Sequence, residues 1–234
     1  MSKKFKNEIE DSMKVITLGE SGVGKTSIIK RYIHNKFDEK NLSTIGLNFS
    51  FKYIKLKDGN TINLKLIDTV GQEKYKALAK SYFKNVDAVL FVFALNSEES
   101  FNNIKNWVNL FDDNHNGKGD IPKYLIGNKS DQEREVREDL IEQIKNEYKN
   151  YKYYETSAKN NDGIEKFFQD LGEDLYKIRN EKEGRKRYNG KNVIKIRRYE
   201  KTKKKMIVAY LIDLIIKIIK IKTKFIIKRY INIY

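Results

Sequence analysis

The chain has 234 residues with one Pro, 13 Gly and no Cys, a length that suits one medium globular domain with an appendage. Its 39% hydrophobic and 12% aromatic content supports a buried core and excludes disorder throughout, yet no run of about 18 apolar residues is present to span a bilayer as a helix. The net charge of +16 is uneven, with 30 basic and 29 acidic residues in 1–181 against 18 and 3 in 182–234, which excludes one basic face running along the whole molecule.

Met13 to Gly19 is a short apolar run stopping at glycine, and Lys25 to His34 carries Ile28, Ile29, Tyr32 and Ile33 at helical spacing, which predicts strand, loop, helix. Leu47 to Leu56 alternates at period two, Asp58-Gly59-Asn60 marks a tight turn, and Ile62, Leu64 and Leu66 resume the alternation, which predicts an antiparallel hairpin. Val86 to Ala94 and Tyr124 to Gly127 are buried-strand runs, and Tyr153 to Thr156 is a weaker last strand. Helices are expected near 73–84, 98–112, 134–148 and 162–180. The order predicts an α/β fold: a six-stranded, mostly parallel sheet with one antiparallel edge strand and helices on both faces. Such folds place ligands at the carboxyl ends of the strands.

The first strand-end loop is Gly19-Glu20-Ser21-Gly22-Val23-Gly24-Lys25-Thr26, the GxxxxGK[ST] pattern of a P-loop NTPase in its strand-to-helix context. Glycines let backbone N–H groups turn toward a phosphate chain, and the helix start, with Ser27 in its first turn, adds a favourable dipole. Lys25 reaches the terminal phosphates, and Thr26 offers a hydroxyl to Mg²⁺. The base is read from Gly127-Asn128-Lys129-Ser130-Asp131 and from Glu155-Thr156-Ser157-Ala158-Lys159, each following a strand. Guanine presents two adjacent donors, which one carboxylate can accept, so Asp131 suits guanine and rejects adenine. Asn128 can hold the loop and N7, Lys129 can cover the ring, and the Ala158 N–H can donate to O6. Alone, Asn-Lys-x-Asp is more often a solvated turn; three ordered motifs reverse that.

Asp68-Thr69-Val70-Gly71-Gln72-Glu73 follows the strand ending at Ile67. A carboxylate at that strand end, beside the phosphate loop, is matched by a metal-bound water, with an ordinary turn as the alternative. Gly71 can give an N–H to a γ-phosphate, and Gln72 can orient a water for in-line attack. In Ser43-Thr44-Ile45-Gly46, Thr44 is the second hydroxyl candidate for the metal. Phe37 can pack edge-on against the base or, equally, into the core. Bound GTP or GDP with Mg²⁺ follows from these residues.

These motifs, in this order and spacing, resemble the Ras superfamily of small GTPases over residues 13 to about 178. Within it the chain most resembles the Rab branch, through Gly19 to Thr26, Ser43 to Phe49, Asp68 to Glu73 and Glu155 to Lys159. The resemblance implies a G domain over 13–180, preceded by a flexible extension (1–12) and followed by a basic tail (181–234). It implies switch segments around Thr44 and from Gly71 to Tyr82, ordered by the γ-phosphate and read by effectors. It also implies an exchange factor, a GTPase-activating protein, a role in membrane traffic at the cytosolic face of an endomembrane, and a monomer. A small GTPase of another branch, acting in signalling, is the alternative.

Three departures stand out. Val70 replaces the family's usual Ala beside Gly71 and Gln72, where two extra methyls can slow hydrolysis and leave a GTP-dependent binding module as the rival function. Ile67 replaces the usual Trp, reducing the effector-reading aromatic trio to Phe49 and Tyr82. The family's C-terminal Cys pair is missing, and the lack of Cys also excludes disulfides, thiolate metal sites and Cys-linked lipids. Met1-Ser2-Lys3-Lys4-Phe5-Lys6 shows no apolar signal run and no glycine at position two, so a cytoplasmic location is expected. In the tail, Asp213, Lys217, Lys220, Lys224 and Lys228 share one helical face among Ile, Leu and Val, as in a basic interfacial helix attracted to anionic lipid. Translation of an unspliced AT-rich intron or a frameshift gives the same composition. Nucleic-acid binding is disfavoured, since no aromatic stacking platform accompanies the basic stretch.

Overall fold

The computed structural model describes residues 12–39, 47–69, 82–115 and 121–181. The first apolar run forms strand β1, Met13–Leu18, and the periodic segment after it forms helix α1, Lys25–His34. The alternating runs form β2, Asn48–Lys55, and β3, Thr61–Asp68. Their turn is closed by the Leu56 and Gly59 amides, which donate to the carbonyls of Asn60 and Leu56 at 2.8 and 3.0 Å. Then follow β4 (Ala88–Ala94), α2 (Glu98–Asn102), α3 (Ile104–Asn114), β5 (Lys123–Asn128), α4 (Glu138–Glu147) and β6 (Lys152–Thr156). A last helix, α5, covers 164–181.

The six strands form one sheet in the order β2-β3-β1-β4-β5-β6, antiparallel at β2-β3 and parallel at every other pairing. This is the α/β architecture expected from the element order. Every residue of β4 is buried, because helices cover both faces of the sheet and a parallel strand inside such a sandwich has no solvent side.

One core layer packs Ile28, Ile29 and Tyr32 of α1 and Phe167, Phe168 and Leu171 of α5 onto Val15, Leu64, Leu66, Leu90, Val92 and Ile126. Tyr32 and Phe168 stack with centroids 3.7 Å apart. The second layer packs Phe101, Ile104, Trp107 and Phe111, with Ile141 and Ile144, onto Ile16, Leu18, Phe91, Phe93 and Leu125. Each such side chain contributes about 1.5–3 kcal/mol by leaving water, so the sheet is a rigid platform from which the strand-end loops project.

Two helices differ from the expected spans. The helix expected over 98–112 is broken at Asn103 into α2 and α3. The break seats Phe101 edge-on against Phe93, centroids 5.1 Å apart, while Trp107 and Phe111 still face the sheet. Ser97 caps α2 by accepting from the Ser100 amide at 3.2 Å. The helix expected over 134–148 begins only at Glu138. The Glu135 and Val136 amides donate to the Leu95 carbonyl at 3.0 and 3.1 Å, which holds the preceding residues as a loop and buries Val136. Strand ends shift by one or two residues from the expected bounds, and most of the helix expected near 73–84 lies outside the described residues.

The chain divides into two compact units, Met1–Ile178 and Arg179–Tyr234. The expected extension before residue 12 and the tail beyond residue 181 lie outside the described residues. No helix among the described residues is long and apolar enough to cross a membrane.

Candidate functional site

The carboxyl ends of β1, β3, β5 and β6 carry the motif loops. After β1 the chain turns through Gly19 at φ 145, where a Cβ would strike the Val92 carbonyl oxygen of β4. The loop closes at Gly24, the N-cap of α1 at φ 98, where a Cβ would strike the Asn128 amide. Only glycine satisfies both the backbone angle and the space at these two positions. Gly24 brings no side-chain cap to the start of α1. Ser21 and Gly22 are exposed at the loop tip, Val23 is buried beneath it, and Ser27 is half-buried in the first turn of α1.

Lys25 is the buried cation of the loop. Its ammonium donates to the Gly19 and Glu20 carbonyls at 2.9 and 2.7 Å, curling the side chain back over the loop. Burial pushes its pKa down to about 8, against the opposing pull of Asp68 and Glu20. Its charge is therefore stabilised by whatever anion it meets.

Asp68 ends β3 directly across from Thr17 of β1. Thr17 Oγ1 donates to the Ile67 carbonyl at 3.0 Å and Thr69 Oγ1 to the Thr17 carbonyl at 2.6 Å, pinning that strand end. Thr26 Oγ1 donates to Asp68 Oδ2 at 2.7 Å, whereas among the described residues the buried Asp68 Oδ1 has no hydrogen-bond partner. Burial raises the Asp68 pKa, opposed by the Thr26 hydroxyl and by Lys25 and Lys30. A hydroxyl and a carboxylate side by side, one oxygen unsatisfied, fit a hydrated hard cation such as Mg²⁺. Among the described residues no group of three His, Cys, Asp or Glu side chains gathers elsewhere to hold a metal.

The β5 and β6 loops meet the phosphate loop through one side chain. Buried Asn128 donates from Nδ2 to the Val23 carbonyl at 2.9 Å and accepts at Oδ1 from Thr156 Oγ1 at 3.1 Å and from the Ala158 amide at 3.3 Å. Lys129 takes a left-handed φ of 65, and its pKa is lowered by partial burial against the pull of Asp131. Ser157 Oγ donates to Asp131 Oδ1 at 2.5 Å and accepts from the Asn160 amide at 3.0 Å, so the last loop positions Asp131. Lys159 is exposed and pairs with Glu39 at 3.0 Å.

Lys25, Thr26, Asp68, Asn128, Asp131, Ser157 and Ala158 are thus gathered at one end of the sheet. Two other residues show roles that the motifs alone leave open. The Glu20 carboxylate turns to Trp107 of α3 and accepts its indole N–H at 2.9 Å, so only its backbone serves the loop. Phe37 packs against the first core layer with the Arg31 guanidinium 6.0 Å above its ring. Thr44, Val70, Gly71 and Gln72 lie outside the described residues.

Beside the site, Phe49 and Tyr82 meet with centroids 5.7 Å apart, Lys65 Nζ lies 4.5 Å over the Phe49 ring, and Ile67, paired with Phe49 across the β2-β3 ladder, is buried. Phe51 and Tyr53 continue the exposed stripe along β2. Arg31 belongs to none of the sequence motifs. Its guanidinium Nε and Nη2 donate to the Ala158 and Lys159 carbonyls at 2.7 and 2.8 Å, and only its place in the last turn of α1 could have pointed to it.

The Ras family model matches residues 14–177. The chain is 34% identical over 164 residues to the Ras-related protein Rab-8A of Bos taurus, covering 69% of this chain and 77% of that protein. It is 36% identical over 170 residues to the Ras-related protein Rab-18 of Lymnaea stagnalis, covering 72% and 82%. It is 32% identical over 164 residues to the Ras-related protein Rab-13 of Rattus norvegicus, covering 69% and 79%. A mixed six-stranded sheet, a glycine loop around a buried lysine and two further strand-end loops tied to it agree with this match: the chain belongs to the Ras family and is a Rab-like small GTPase.

Proposed function

We propose that the chain is a guanine-nucleotide switch that hydrolyses GTP slowly and acts in vesicle traffic at the cytosolic face of an endomembrane. The observation that carries the guanine reading is Asn128, whose single buried amide ties the phosphate loop to both base loops and so sets Asp131 at a fixed distance from the phosphates. Asp131 accepts the two adjacent donors of guanine. The Ala158 N–H, held only by a long bond, turns to O6, and Lys129 covers the ring.

At the other end, loop amides from Glu20 to Thr26 surround the phosphates, and Lys25 exchanges its two carbonyl partners for phosphate oxygens. Thr26, Thr44 and Asp68 would hold Mg²⁺, which when bound would neutralise charge on the phosphates. Gly71 donates its N–H to the γ-phosphate, and Gln72 orients the attacking water. A partner supplies the arginine that speeds the reaction. Exchange factors and effectors read the state of the segments around Thr44 and Gly71, and the protein acts as a monomer.

Single-turnover phosphate release from the full chain tests the chemistry. Gln72→Leu is expected to leave GTP affinity nearly unchanged and to lower the rate by about tenfold or more, since phosphate contacts survive and only the water loses its guide. A wild-type rate indistinguishable from buffer would leave a GTP-dependent binding module, consistent with crowding by Val70.

Residues 182–234, with 18 basic and 3 acidic residues, supply attraction to an anionic membrane surface. Each Lys or Arg near such a surface contributes about 1 kcal/mol, screened by salt, and apolar side chains add a salt-resistant part. In sedimentation, the full chain is expected to pellet with phosphatidylserine vesicles and stay in solution with neutral ones, losing part of that binding in high salt. Equal pelleting without vesicles would refute it.

A further inference from the structure

We infer that Arg31 is a positioning residue for base recognition: a clasp, carried on the phosphate-binding helix, that aims the Ala158 N–H at the base. This rests on the guanine reading above and extends it to a residue outside every motif.

Arg31 lies six residues after Lys25 on α1, a rise of about 9 Å, so one rigid helix presents the phosphate lysine at its start and this guanidinium at its end. Arg31 makes four hydrogen bonds among the described residues. Nε donates to the Ala158 carbonyl at 2.7 Å and Nη2 to the Lys159 carbonyl at 2.8 Å. Nη1 donates to the Asn35 carbonyl at 3.1 Å and to Asn35 Oδ1 at 3.2 Å. Asn35 itself closes α1 in a left-handed conformation at φ 51, its amide returning to the Arg31 carbonyl.

The forked donors of a guanidinium match this set, which a single ammonium cannot. A stray surface arginine meets carboxylates or water; here the acceptors are two consecutive backbone carbonyls 127 and 128 residues away in sequence. Fixing both carbonyls fixes the peptide planes that follow the Ala158 N–H. Among the described residues that N–H otherwise has only the 3.3 Å bond to Asn128 Oδ1, so its direction depends on the clasp. The phosphate contacts of Lys25 do not.

The test compares release of GDP with release of the diphosphate of 2-aminopurine riboside, which keeps the 2-amino donor that faces Asp131 and lacks both O6 and the N1–H, so that each ligand is compared only with itself between wild type and variant. Both are measured on the full chain, wild type and Arg31→Ala, in Mg²⁺. Wild type is expected to hold GDP more tightly than the analogue. Arg31→Ala is expected to release GDP about tenfold faster and the analogue less than twofold faster, because only GDP has the acceptor that the aimed N–H serves. Arg31→Lys, which keeps the charge and most of the stem packing, is expected to fall between, and it carries the comparison if the Ala variant does not fold. Equal acceleration for both ligands, or none for either, overturns the role of Arg31 while leaving guanine binding intact. Failure of wild type to bind GDP overturns the guanine reading itself.

Discussion

Asp131→Asn is expected to weaken GDP binding to the full chain by on the order of a thousandfold and to turn its preference toward xanthosine diphosphate. The carboxylate accepts two adjacent donors of guanine, and hydrogen bonds to a charged acceptor are worth about 1.5–3 kcal/mol each. Asparagine keeps one oxygen, which preserves the Ser157 bond now made to Asp131 Oδ1 at 2.5 Å, and so the loop stays in place. Its amide, however, opposes the guanine donors instead of accepting them. Xanthine presents a carbonyl at that edge, which the amide can satisfy. Competition against a fluorescent GDP, run with both diphosphates, measures the switch. A loss of less than tenfold for GDP would remove Asp131 from base recognition.

Lys25→Met carries the second large effect and separates function from stability. The lysine is buried, and burial holds its pKa near 8, which means the folded chain keeps a charge there against a desolvation cost. Methionine matches the stem and has no charge to desolvate. GTP affinity is expected to fall by on the order of a hundredfold or more, because the charge that meets the terminal phosphates is gone. The chain itself is expected to lose less than about 1 kcal/mol of stability, since the two carbonyl bonds lost are offset by the removed burial cost. Titration calorimetry with GTP and a denaturant curve on the same preparation give both numbers. Unfolding of the variant would show that the lysine's bonds to Gly19 and Glu20 hold the loop together.

The fold was legible because its cues are local. Glycines after β1, alternation along β2 and β3, and uninterrupted apolar runs in β4 and β5 each report the environment of their own segment. The gathering of the candidate residues was legible for the same reason: Gly24, Lys25, Thr26, Asn128 and Asp131 belong to short contiguous motifs at strand ends. Cues that depend on distant partners were hidden. Helix α4 starts late because Leu95, far back in the chain, takes the amides of Glu135 and Val136, and Val136 is buried at a helical spacing without being helical. The break at Asn103 follows from where Phe101 finds Phe93. Glu20, within a phosphate motif, spends its carboxylate on Trp107. Arg31 shows no pattern at all, because its acceptors are backbone carbonyls, and any residue type supplies those.

The amide of Asn128, bonded at once to Val23, Thr156 and Ala158, has a kinetic meaning for a nucleotide seated as proposed. Base and phosphates are then two weak ligands joined by a ribose and bound to two half-sites that cannot move apart. When one end lets go, the other keeps it nearby at a high effective concentration, and rebinding outruns escape. Departure requires both ends to release together, so the lifetime of the bound state exceeds what either contact set would give alone. A protein that needs to empty this site quickly has no reason to break every contact with the nucleotide; parting the two halves where Asn128 and Arg31 join them would leave it with two short-lived attachments in place of one long one.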